Sequence, residues 1–377
     1  MAWTTSAQPT GSSTVRTRRL PLPSESRTPP LPAKPSSTCG SGPRLAVRSL
    51  WSHQAEALTA CRQLVGKACL VAMPVGSGKS EVIKHLALDW LQGERTRVVV
   101  AVPNLELAKQ HRAGFILHTS NRRIIPSLSL TGYALARSSR LIITTYASLG
   151  KVVEHFSRSR IKKSSLLLIA DECHHCNHSA SVYWDQVRYF GYRVGFSATP
   201  WTPLNRYCFQ NTVAYFLSLC EAQNRGIVAR HKIEVLQDIA IDPTKRYQMY
   251  FVEDSDRFSG PMKRHGIMWQ DEMGLDRPVG NSDLIQRFRD GEFPCLFVNR
   301  MLLEGFDCPA VKVIYIEKKT RSRLLAYQMF GRGLRRYCDQ FLLVKVGSQE
   351  MYDILCQSLE MANDIDAEED RWLTVNQ

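Results

Sequence analysis

The sequence is short of several features that would place it quickly. No uninterrupted apolar run approaches the roughly 20 residues needed to cross a bilayer, so neither a transmembrane helix nor a membrane partner is expected. No internal repeat is visible, which argues against solenoids and propellers. Acidic residues are scarce: 35 Asp and Glu stand against 49 Lys and Arg, a formal charge of +14. That excess favours a polyanionic partner, because neutralised phosphates release counterions. A disulfide framework is also missing. The 11 cysteines are odd in number and scattered, and Cys69, Cys295 and Cys308 have apolar neighbours. Reduced thiols and an intracellular location are the expectation. Cys173 and Cys176 form a CxxC beside His174, His175 and His178, but no second ligand pair follows at zinc spacing, so no zinc site is expected.

The first 45 residues have almost no aliphatic periodicity. They are rich in Ser, Thr, Pro and Arg, with Glu25 as their single acid. Such a segment buries too little apolar surface to offset its ordering entropy and reads as a disordered basic tail. Its composition suits an organellar leader, but Pro21, Pro23, Pro29, Pro30, Pro32 and Pro35 would break the amphipathic helix a leader needs. From about residue 46 short apolar runs alternate with helical patterns. The runs are Cys69 to Met73, Val98 to Val102, Leu141 to Ile143, Leu166 to Ala170 and Val194 to Phe196. Helical patterns lie at Ser80 to Leu91 and Leu105 to His111. Alternation of this kind predicts an α/β fold with parallel strands covered on both faces. A second series repeats it: Tyr250 to Val252, Cys295 to Val298 and Val311 to Ile316, with helices near Ser282 to Arg289 and Ser322 to Arg332. The expected division is a tail over 1–45, one lobe over 46–205, a connector over 206–232, a second lobe over 233–350 and an acidic tail over 351–377.

Between a buried strand and a helix lies AMPVGSGKS, from Ala72 to Ser80. Gly76 and Gly78 let backbone amides approach a phosphate, and the following helix adds a favourable dipole. Pro74 and Ser77 complete the loop. Lys79 would reach the terminal phosphates of ATP and Ser80 would ligate Mg²⁺. A second apolar strand, LLLIADECH from Leu166 to His174, ends in two adjacent carboxylates. Asp171 would then sit at the carboxyl edge of the sheet beside the phosphate loop, holding Mg²⁺. Glu172 is suited to polarise an attacking water as general base.

These residues resemble a superfamily 2 helicase of the DExH type, and the likeness runs from Trp51 to Arg336. Several roles follow from the resemblance. Gln54 matches the glutamine that recognises adenine, with Trp51 standing where an arginine is common. The run from Val102 to Gln110 is similar to a motif that touches the sugar–phosphate backbone, which would assign Pro103 and Asn104 to nucleic acid. Ile143 to Leu149 is similar to a second such motif, through Thr144 and Thr145. Ser197 and Thr199 match the Ser-Ala-Thr that couples hydrolysis to nucleic-acid binding.

In the second lobe, Leu303 to Pro309 resembles the motif in which Gly305 and Asp307 lie near the nucleotide. QMFGRGLR, from Gln328 to Arg335, resembles the motif that completes the ATP site. Arg332 and Arg335 are three apart, near one face of a helix, and would act across the cleft as arginine fingers. The resemblance implies two tandem RecA-like domains with ATP and Mg²⁺ held in the cleft between them. It further implies a motor that moves on a nucleic-acid strand. TRSR, from Thr320 to Arg323, and the wording of the last motif are closer to DNA-processing members, so DNA is the expected track and RNA the alternative. A translocase that does not unwind, a P-loop kinase and a non-enzymatic binding module are the competing classes. No winged helix or zinc ribbon is evident, which leaves room for a targeting protein partner. The sequence departs from the family at Gly260 and Pro261, which would break the helix usual after Tyr250 to Asp254.

Overall fold

A computed structural model describes residues 49–93, 96–118, 126–128, 139–159, 161–177, 180–199, 208–236, 242, 244–252, 267–268, 281–292, 294–298, 308–317, 319–336 and 341–364. They belong to one compact unit, Leu45–Gln377. No described helix is long and apolar enough to cross a membrane.

The apolar runs of the first series become strands buried on both faces: β1 (Ala68–Ala72), β2 (Arg97–Val102), β4 (Leu141–Thr145), β5 (Leu166–Asp171) and β6 (Tyr192–Ser197). With β3 (Pro126–Leu128) and β7 (Val213–Phe216) they form a sheet in the order β3-β4-β2-β5-β6-β1-β7. Every pairing is parallel. Parallel neighbours need a crossover, and helices supply it. These are α1 (Ser52–Gln63), α2 (Lys79–Trp90), α3 (Leu105–His118), α4 (Leu149–Arg158) and α5 (Ala180–Arg188). The register brings three chain ends together. Asp171 pairs with Phe196, and Ser197 pairs with Ala72. The carboxyl ends of β5, β6 and β1 therefore open at one edge, where α/β sheets bind ligands.

The second sheet is likewise parallel, in the order β10-β11-β9-β12-β13-β8. Its strands are β8 (His231–Val235), β9 (Gln248–Phe251), β10 (Ile267–Met268), β11 (Cys295–Val298), β12 (Val313–Ile316) and β13 (Leu342–Val346). Stacked rings of Phe297, Tyr250 and Tyr315 run across one face, with centroids 5.3 and 5.1 Å apart. Helices α7 (Asn281–Arg289), α8 (Arg323–Gly331) and α9 (Gln349–Met361) accompany it. The α/β class with two parallel-sheet lobes of RecA-like form is thus as expected.

Two boundaries need correcting. The stretch 206–232 is not all connector: β7 adds to β1 at the edge of the first sheet, and β8 already begins the second. Only the short helix α6 (Leu219–Asn224) and its flanks bridge them. VAYF is an apolar run like those read as strands, and it is half-buried along its length at the sheet edge. Nor does a tail begin at 351. Helix α9 is capped by the Ser348 hydroxyl, which accepts from Met351 N, and buries Met351, Leu355 and Leu359 at a spacing of four. The basic segment 1–45, Gly260, Pro261, Gly305, Asp307 and the acidic stretch after Asp364 lie outside the described residues.

Candidate nucleotide site

The phosphate loop leaves β1 at Met73 and enters α2 at Lys79. Gly76 and Gly78 both have φ of +85°, a left-handed conformation that an L side chain resists. Gly78 is also the N-cap of α2. A Cβ there would collide with the amide of Gln54, and one on Gly76 would lie 3.2 Å from Cγ of Arg335. The two glycines thus allow the loop to be gripped from both sides. The grip within the first lobe is polar. His53 Nε2 donates to the Ser77 carbonyl at 2.8 Å and Gln54 Nε2 donates to the same oxygen at 3.2 Å. Gln54 Oε1 accepts from Trp51 N at 3.0 Å, so both ends of this amide are engaged with protein. Trp51 itself is 55% exposed. Ser77 Oγ closes the loop on Pro74 O at 2.7 Å.

Lys79 is buried, with Nζ donating to Met73 O at 3.3 Å and lying 3.8 Å from Glu172 Oε1. Met73 occupies the position where such loops usually begin with glycine, and its carbonyl anchors the lysine. Glu172 has φ of +48°, strained for a residue with a Cβ. Strain of that kind is found where chemistry dictates side-chain direction, and here it turns the carboxylate away from the strand toward Lys79. Asp171 is fixed from three sides. Its Oδ1 accepts from Glu172 N at 3.1 Å and its Oδ2 accepts from His111 Nε2 at 2.8 Å. Its carbonyl accepts from Tyr146 OH at 2.6 Å.

His174 joins the parts. Gln328 Nε2 donates to His174 Nε2 at 3.0 Å, so the ring proton belongs on Nδ1. That Nδ1 donates to Ser197 Oγ at 2.9 Å and lies 3.6 Å from Glu172 Oε2. Ser197 Oγ also accepts from Thr199 N at 2.9 Å. One imidazole therefore lies beside Glu172, bonds the Ser-Ala-Thr strand end and is reached from the second lobe. Cys173, beside this histidine, is fully buried in the core.

The remaining residues divide. Ser80 is exposed in the first turn of α2. A hydroxyl and a carboxylate, Ser80 and Asp171, are oxygen donors of the type Mg²⁺ takes. Arg332 is buried and its Nε donates to Gln328 O at 3.4 Å. The two arginines do not share a helix face, however. Helix α8 ends at Gly331, and a chain of turns carries Arg335 into an isolated antiparallel bridge with Val228. The cause is the glycine pair. Gly331 packs against Val75, where a Cβ would come within 2.9 Å, and Gly333 packs against Leu342. Asn104 caps α3, its Oδ1 accepting from Leu107 N at 3.0 Å, and Pro103 precedes it at the strand end. Thr144 is fully buried at the end of β4, and Thr145 is half-buried beside it at the sheet edge. His53, His111, Tyr146 and His174 were not among the expected site residues. Only His174 carried a signal, as the last letter of DECH.

Two parallel-sheet lobes, with a glycine-gripped phosphate loop and an acidic strand end at one sheet edge, define a RecA-like P-loop protein. Residues 48–202 match the family described as type III restriction enzyme, res subunit. A stretch of 59 residues is 37% identical to the helicase IRC3 of Saccharomyces cerevisiae, covering 16% of this chain and 9% of that protein. The similarity thus spans less than a tenth of that relative's length. Among solved structures, S. cerevisiae Dbp5 bound to RNA and ADP BeF3 has a TM-score of 0.58 at 18% identity, covering 86% of this chain and 91% of that one. The DUF1998 helicase MrfA bound to DNA and AMPPNP gives 0.62 at 15%, over 87% and 53%. The type ISP restriction-modification enzyme LlaBIII bound to DNA gives 0.61 at 12%, over 84% and 30%. At these identities the structural likeness speaks for the fold. The first lobe is thus similar to the res-subunit family over residues 48–202, and the two lobes share the fold of these helicase and restriction-enzyme structures.

Proposed function

We propose that this chain is an ATP-driven nucleic-acid motor whose track is DNA. The observation that carries the reading is the His174 junction, which ties Glu172 to Ser197 in one lobe and to Gln328 in the other. A phosphate-transferring kinase would need no such link between its base and a second sheet. In the proposed reaction the loop amides and Lys79 bind the phosphates, and Gln54 and Trp51 face the base. Mg²⁺ held by Ser80 and Asp171 would neutralise charge on the phosphate oxygens. Glu172 accepts a proton from the attacking water. Arg332 and Arg335, carried against the loop by the end of α8, stabilise the charge that develops on the transferred group. Opening and closing of the cleft then shifts one lobe along the strand, with Pro103, Asn104 and Thr145 on its sugar–phosphate backbone.

DNA as the track draws on the DNA-bound neighbours MrfA and LlaBIII and on the restriction-enzyme family matched by the first lobe. RNA is the second reading, favoured by the fold's likeness to RNA-bound Dbp5 over nearly all of that chain. An intracellular site of action and a targeting partner belong to the same proposal. The test is ATP hydrolysis with single-stranded DNA, duplex DNA, RNA or no polymer, in wild type and Glu172→Gln. Stimulation by DNA that is lost in the variant is expected. Hydrolysis indifferent to every polymer would sink the motor, and stimulation by RNA alone would change the track.

A further inference from the structure

Tyr327 is 1% exposed, and its hydroxyl has no hydrogen-bond partner among the described residues. Buried polar groups are nearly always paired, and an orphaned one calls for an explanation. Phenylalanine would fill the same volume without stranding a hydroxyl, so packing alone gives no reason for a tyrosine. Its place in α8 supplies one. Tyr327 and Gly331 are four apart and share a helix face. That face is the one pressed on the phosphate loop, since Gly331 meets Val75. The adjacent Gln328 reaches His174, which in turn lies beside Glu172. Burial raises the proton affinity of the phenol, and the charge it feels beyond that is the Glu172 carboxylate. The hydroxyl is thus protonated, within electrostatic reach of the general base, and unused by the protein around it.

We propose that Tyr327 is a positioning residue for hydrolysis: its hydroxyl orients the Glu172 carboxylate and the water it activates when nucleotide fills the cleft. The inference rests on the ATP-hydrolase reading above. No bond changes at Tyr327, which donates a hydrogen bond and keeps its proton throughout. Because Tyr327 belongs to the second lobe and Glu172 to the first, the contact is made only while the cleft is closed. Hydrolysis then becomes sensitive to closure through a neutral group as well as through the arginines.

The experiment is Tyr327→Phe beside wild type, measuring steady-state hydrolysis with the stimulating polymer, affinity for the non-hydrolysable analogue AMPPNP, and thermal unfolding. The expected result is a turnover lower by on the order of tenfold, the effect of one transition-state hydrogen bond. The KM for ATP and the affinity for AMPPNP stay unchanged, and the melting temperature is equal to or above that of wild type. A merely structural tyrosine moves different readouts. Wild-type turnover in the variant would overturn the inference, as would loss of analogue binding or stability in step with turnover. Wild type is read first: if it hydrolyses no ATP with any polymer, the hydrolase reading falls and takes this inference with it.

Discussion

The phosphate loop is held in two different ways on its two sides. Toward its own lobe the grip is polar, with His53 and Gln54 converging on one carbonyl and Ser77 tied to Pro74. Toward the second lobe it is steric: Val75 lies under Gly331, and Gly76 lies under the backbone of Arg335. The first kind of contact is short, directional and preserved when the lobes move. The second rests on close packing at two glycines, which can be made and lost repeatedly. A polar contact across the cleft among the described residues is the Gln328–His174 bond, and it lands on the histidine beside Glu172 rather than on the loop. On the proposed reading, one side builds the binding site while the other times its use.

The steric side is the easier to break. Gly331→Val would put methyl groups into Val75, where a Cβ alone already comes within 2.9 Å of a side-chain carbon. Neither sheet is touched, so both lobes should fold. Displacing α8 by a fraction of a side chain misplaces Arg332, Arg335 and Gln328 together. Turnover is expected to fall by on the order of a hundredfold, the scale of a small misplacement of catalytic groups. Nucleotide binding, held by the first lobe, should change little. An ATPase assay paired with AMPPNP titration checks this. If binding fell as far as turnover, the division between a binding side and a timing side would be wrong.

A smaller effect sharpens the polar link. His174→Ala removes the acceptor of Gln328 and the donor to Ser197 while leaving Glu172 and Asp171 in place. Roughly tenfold lower polymer-stimulated turnover is expected, from the loss of two hydrogen bonds at a reacting centre. Basal hydrolysis without polymer should fall less if Ser197 couples polymer binding to turnover as proposed. Equal losses with and without polymer would reduce His174 to an ordinary support of Glu172.

How much of this could be read beforehand follows the same division. The loop and the DE pair were legible because each is a local pattern: glycines at the spacing of a turn, and acids at the end of an apolar run. The parallel pairing of the strands followed from alternation, but their order along the sheet did not. What could not be read depends on partners far away in the chain. The hydrogen bond between Gln328 and His174 spans 154 residues, and that between His111 and Asp171 spans 60. Arg332 and Arg335 were placed on one helix because three residues look like one turn. Gly331 and Gly333 end that helix for packing reasons visible only with Val75 and Leu342 in place. Likewise, β7 was left in the connector although VAYF is apolar, because its place in the first sheet shows only in its pairing with β1, and α9 was missed because it runs into an acidic stretch.

The mildest test addresses the first lobe's grip through pH. His53 is almost fully buried, and burial, its largest influence, lowers its pKa below the ordinary histidine value of 6.5. In the folded chain the ring is neutral and Nε2–H donates to the Ser77 carbonyl. The unfolded chain therefore takes up a proton before the folded chain does. A group with a depressed folded-state pKa is stabilising above its unfolded pKa and loses that contribution as pH falls toward the folded value. Stability should decline as pH drops from about 7 to below 6, with nucleotide affinity declining alongside because the loop loosens with the ring. His53→Gln keeps a donor but cannot titrate, so its acid-side decline should be shallower. Thermal unfolding and AMPPNP titration of both proteins across that range make the comparison. Parallel slopes would assign the acid sensitivity elsewhere, for example to His231, whose pKa burial also lowers, and would leave Gln54 as the first lobe's principal hold on the loop.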